Sequence, residues 1–73
     1  MNQFLRIGDR IRLLEMPNDP NPIPTGEIGT VIGISHRDDD EDVWHQVDVK
    51  WDNGRNLMLT LPQDRIEILE HAR

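Results

Sequence analysis

Few residues of this chain could do chemistry. They are three histidines, His36, His45 and His71, and one acidic run, Asp38-Asp39-Asp40-Glu41-Asp42. The run invites a calcium reading. If Asp38, Asp40 and Asp42 were positions one, three and five of an EF-hand loop, Val43 would stand where that loop needs glycine, and Val49 where it needs a bidentate glutamate. The pattern fails at both places, so the run reads as a solvated, self-repelling loop, with weak divalent binding left open. The histidines lack zinc spacing, and the chain has no cysteine to help them. Ser35 and His36 are neighbours at a strand end, which is not how a nucleophile and its base are held. There is no glycine-rich phosphate loop and no long helix to aim its amides at an anion. No catalytic residue, metal ligand or cofactor is expected, and the chain does not read as an enzyme.

What remains is aromatic and charged surface. Trp51 and Arg55 flank the turn Asp52-Asn53-Gly54, where a guanidinium could stack on the indole; the pair is either a cap on the core or a ligand surface. Trp44 has the parity of Gln46, Asp48 and Lys50, opposite to Val47, Val49 and Trp51. It is therefore expected partly exposed, near Met58 and the acidic run, as an interface residue or as the closure of one end of a small core. A basic face of Arg10, Arg12 and Lys50, with Trp51 for stacking, is the nucleic-acid alternative. Pro17, Pro20, Pro22 and Pro24 favour extended backbone that is either a ligand for an aromatic groove or a rigid loop guarding an edge. The chain has no tyrosine, so it makes a poor receptor for such segments.

The elements that must position these residues read as strands. Apolar spacing is mostly two, and breakers recur every eight to twelve residues. The expected strands are Ile7 to Glu15, Thr30 to Ser35, Val43 to Trp51, Arg55 to Leu61 and Arg65 to Leu69. Ile7, Ile11 and Leu13 are expected on one face of the first. A proline loop spans 16–25 and a solvated acidic loop 36–42. In the second strand Val31 points one way while Ile32 and Ile34 point the other, which a bend or bulge near Gly33 would resolve. A two-residue turn at Asn53-Gly54 would put Asp48 and Lys50 on the leucine face. A three-residue loop, with Gly54 left-handed, instead sets Trp51 opposite Arg55, Val49 opposite Leu57 and Val47 opposite Leu59. The expected fold is all-β: a single domain over 1–73, core about 7–69, folded as a small five-stranded, partly open β-barrel.

The bulk numbers narrow the class further. A 73-residue chain without cysteine must rest on packing and backbone pairing, with self-association as the remaining help. Five of the fourteen acids sit in the run, and the other nine nearly balance eight bases, so the net charge of -6 belongs to one loop. That argues against broad attraction to nucleic acid or to an anionic membrane. No apolar stretch is long enough for a membrane span, and a cytoplasmic protein is expected.

Gly8-Asp9-Arg10-Ile11-Arg12-Leu13, the proline segment from Met16 to Pro24, Gly26, Gly29-Thr30-Val31, Val49-Lys50-Trp51-Asp52-Asn53-Gly54-Arg55 and Leu57 together resemble the bacterial and phage domain of unknown function family 4314. The resemblance runs from about Ile7 to Leu69. More loosely, the same residues look like SH3-like barrels, including KOW-type modules. The resemblance implies the fold and carries no catalytic residues. The acidic insert departs from the pattern. The expectation is a non-enzymatic module that binds a protein with a basic patch through Trp44, Trp51, Arg55 and Met58, with Asp38, Asp39, Asp40, Glu41 and Asp42 steering the partner. Alternatives are nucleic-acid contact through Arg10, Arg12, Lys50 and Trp51, or a self-associating accessory protein of a phage or mobile element.

Overall fold

Alternating apolar and polar residues build five antiparallel strands: β1 (Arg10–Glu15), β2 (Ile28–Asp38), β3 (Val43–Trp51), β4 (Leu59–Leu61) and β5 (Arg65–Glu70). The computed structural model describes residues 5–38 and 43–72, which contain no helix and so none that could cross a membrane. The strands form one sheet in the order β4-β3-β2-β1-β5, and among the described residues no pairing joins β4 to β5. The core on its inner face comprises Ile11, Leu13, Val31, Val47, Val49, Trp51, Leu59 and Ile66, completed by Met16 and Ile23 from the proline loop. That loop is therefore more than an edge guard, since it closes part of the apolar face.

The turn chemistry sets the β3–β4 register. The Gly54 amide donates to the Trp51 carbonyl at 3.0 Å and the Trp51 amide to the Arg55 carbonyl at 3.3 Å. Gly54 has φ +89°, a left-handed conformation that disfavours a side chain. Lys50 lies opposite Asn56 and Val47 opposite Leu59, which is the register of a three-residue loop. The regular strand starts only at Leu59, later than the expected Arg55, because the Leu57 carbonyl accepts the Trp51 indole N–H at 3.0 Å. A buried indole needs that acceptor.

The conflict in β2 is resolved by a bulge. Val31 pairs with Val49 and Gly33 with Asp48, leaving Ile32 as the extra residue and returning Ile34 to the side of Val47. Gly29 admits the tightest approach: a Cβ there would lie 2.6 Å from Val49 Cγ1 and 2.8 Å from Trp51 Cε3.

Two expectations need correction. His36, Arg37 and Asp38 belong to β2 and face His45, Trp44 and Val43, so the expected loop over 36–42 is shorter. Backbone pairing carries the β2–β3 hairpin beyond the core, as an arm whose side chains are largely solvated. Ile7 is not on the core face: it sits in the turn before β1 and is 61% exposed. The Asp9 amide donates to the Arg6 carbonyl there, so the chain turns before the strand begins.

Candidate functional site: the outer face of the hairpin arm

Strand parity sends Val47, Val49 and Trp51 inward and Trp44, Gln46, Asp48 and Lys50 outward. On the outer face Trp44 is half-buried opposite Arg37, and Gln46 lies opposite Ser35 on β2 and Thr60 on β4. The Arg37 guanidinium donates to Gln46 Oε1 at 3.2 Å, and the Gln46 amide donates to the Met58 sulfur. Arg37, Gln46 and Met58 thus form a continuous polar-to-thioether row beside the indole. His36, Arg37, Asp38, Trp44 and Gln46 line an open depression of about 490 Å³. Met58 is 50% exposed and borders a second hollow, of about 250 Å³, with Asn18, Asp19, Thr60, Gln63 and Asp64.

Of the expected contact residues, the structure therefore brings Trp44 and Met58 to one face. It adds Arg37, which the polar run 36–42 placed in a loop, and Gln46, which shares the parity of Trp44 but carries neither the aromatic nor the charge signal of a contact residue. Asp38 ends β2 in an exposed position; Asp39, Asp40, Glu41 and Asp42 lie outside the described residues. Trp51 is corrected: at 1% exposure it is core and presents no aromatic surface. Arg55 beside it is partly exposed. Its guanidinium donates to the Pro22 carbonyl at 3.0 Å and the Asn21 carbonyl at 2.8 Å, strapping the proline loop to the hairpin.

The residues of the nucleic-acid alternative do not assemble into a basic stacking face. Arg10 makes a bidentate pair with Asp52, at 2.9 and 2.6 Å, and donates to Thr30 Oγ1. Its hydrogen bonds hold the Asp52 carboxyl below the usual range, and the Arg10 pKa is raised in return. Arg12 pairs with Glu67 at 2.9 Å. Lys50 is exposed, and the tryptophan between these cations and a base is buried.

Among the described residues the one fully buried carboxylate is Asp9, which accepts the Arg6 amide at 2.8 Å, the Ala72 amide at 2.7 Å and His71 Nδ1 at 3.2 Å. Burial alone would raise its pKa, but the hydrogen bonds from Ala72, Arg6 and His71 together outweigh it and hold the carboxyl below the ordinary range. This is a clasp between the chain's two ends. The remaining histidines also meet: His36 Nδ1 lies 3.2 Å from His45 Nε2, on the inner-face side of the arm beyond the core.

Fold and site thus define a small all-β domain with a half-buried indole and an exposed thioether on the outer face of its sheet. The chain belongs to the family described as Domain of unknown function (DUF4314), whose model matches residues 2–69. No curated protein and no solved structure matches it.

Proposed function

We propose that this domain is a cytoplasmic, non-enzymatic interaction module of bacterial or phage origin, with an SH3-like barrel architecture, that binds a protein partner carrying a basic patch. Five strands around one core, with the proline loop over its open side, support the barrel reading. The single observation that carries the function is the outward, half-buried Trp44 on an arm that extends past the core. An indole held outside the core by strand parity contributes apolar area that a partner can bury. Met58 adds an adaptable thioether to the same face, and Arg37 and Gln46 supply directional hydrogen bonds. The acidic run connecting β2 and β3 then orients a basic partner on approach.

The test is affinity capture by tagged wild-type and Trp44→Ala domains from a nuclease-treated bacterial lysate, with thermal unfolding of both. The expected result is a partner held by the wild type and lost by Trp44→Ala, with unfolding midpoints within a few degrees. A midpoint far below the parent would make Trp44 a core residue. Capture that vanishes with nuclease would favour nucleic acid.

A further inference from the structure

We infer that His36 and His45 form a bis-imidazole site for a divalent transition-metal ion of the zinc, nickel and copper class. The two residues are directly opposed across β2 and β3 and share a face. Their rings lie edge to face, with centroids 5.0 Å apart and the nearest nitrogens at 3.2 Å. A metal bound at roughly 2.0–2.1 Å from each nitrogen would subtend about 100° across that gap, between the right angle of a square-planar site and the tetrahedral angle. Both side chains are exposed, so the rings can turn their lone pairs to a common point, and an ion between them keeps open positions for water. Imidazole nitrogen suits this metal class, whereas calcium and magnesium prefer oxygen.

The nine-residue separation hides the site from any sequence pattern of zinc ligands; only the strand register creates it. Each histidine comes from a different strand, so the ion cross-links the arm at the pair next to Arg37 and Trp44. The site is independent of the proposed partner and stands or falls without it.

Zinc chloride alone is the probe, titrated into the metal-free full chain by calorimetry, with the imidazole resonances of all three histidines followed by NMR. The expected result is one ion per chain, with shifts at His36 and His45 and none at His71. His36→Gln and His45→Gln should each weaken binding about ten-fold or more, His71→Gln should leave it unchanged, and the zinc-induced rise in unfolding midpoint should vanish in the first two. Equal affinity in wild type, His36→Gln and His45→Gln would place the ion on carboxylates and overturn the site. Absence of saturable binding at millimolar zinc would overturn it as well. Midpoints of the metal-free variants close to the parent's show that any loss is of the ligand and not of the fold.

Discussion

At the scale of single residues, Asp9 is the side chain that joins the turn before β1 to the segment after β5. It offers one oxygen to the Ala72 amide and the other to the Arg6 amide and the His71 imidazole, so turning either oxygen into an amide nitrogen leaves the donors aimed at it without an acceptor. Asp9→Asn is expected to cost about 1–3 kcal/mol, a fall of roughly 5–15 °C in unfolding midpoint for a domain this small. The pH dependence has a fixed sign. The folded carboxyl titrates below its unfolded value of about 3.9, so its contribution is complete above that pH and is lost as pH falls through the lower folded value. Asp52, held down by Arg10, adds in the same direction. Urea unfolding between pH 2 and 6 should show a shallower acid decline in Asp9→Asn than in the parent; equal slopes would remove Asp9 from the account. None of this was legible in the sequence. Gly8-Asp9 reads as part of a strand from Ile7 to Glu15, and two of the carboxylate's partners stand 62 and 63 residues away. Trp51 was half-legible: its parity pointed inward, but its proximity to Arg55 suggested a stack that the proline-loop carbonyls replace.

At the scale of elements, local rules carried further. The Asp52-Asn53-Gly54 loop fixes its own register, because only one loop length keeps Val47, Val49 and Trp51 on the same side as Leu57 and Leu59. The irregularity in β2 was legible for the same reason: Val31 and Ile34 have opposite parity, which calls for a bend or a bulge, and the register shift between Val31 and Gly33 is the bulge. Parity failed where burial no longer constrains it. Residues 36–38 look like loop because they are polar, yet backbone hydrogen bonding continues the ladder without a core beneath it. The His36–His45 pair was invisible for that reason. The bulge makes a paired prediction. Val31 is 1% exposed and Ile32 is 55% exposed. Val31→Thr should cost about 1–3 kcal/mol by burying a hydroxyl without a designed partner. Ile32→Thr keeps a β-branched residue at a solvated position and should stay within about 0.5 kcal/mol of the parent. Denaturant midpoints of the two variants measure this directly. Equal losses would mean that Ile32 also packs, and that the extra residue is not turned outward.

At the scale of the whole molecule, stability is unevenly distributed. A Cα radius of gyration of 11.7 Å is close to the roughly 11 Å expected for this length, so most of the chain is packed around one small core. Every core side chain of β2 and β3 lies between Val31 and Trp51 on the near side of the arm: Val31, Val47, Val49 and Trp51. Beyond Leu61 opposite His45, the arm is a two-stranded ladder with no further strand beside it among the described residues, and such a hairpin is marginal on its own. Amides of the central strands should therefore exchange only through global unfolding. Those of Leu13 and Val31, which donate to the Glu27 and Asp9 carbonyls at 2.9 and 3.0 Å, are the reference. Amides in residues 35–38 and 43–44 should exchange through local opening, about a hundred-fold faster or more. Native-state hydrogen exchange by NMR checks this, and uniform protection from core to arm would show instead that the arm is held as firmly as the core. The gradient also bears on the proposed function. Trp44 and Arg37 sit on the least protected part of the fold, so a partner that buries the indole must also order the arm. Its arrival should slow exchange in residues 35–38 and 43–44 while leaving Leu13 and Val31 at their global rate.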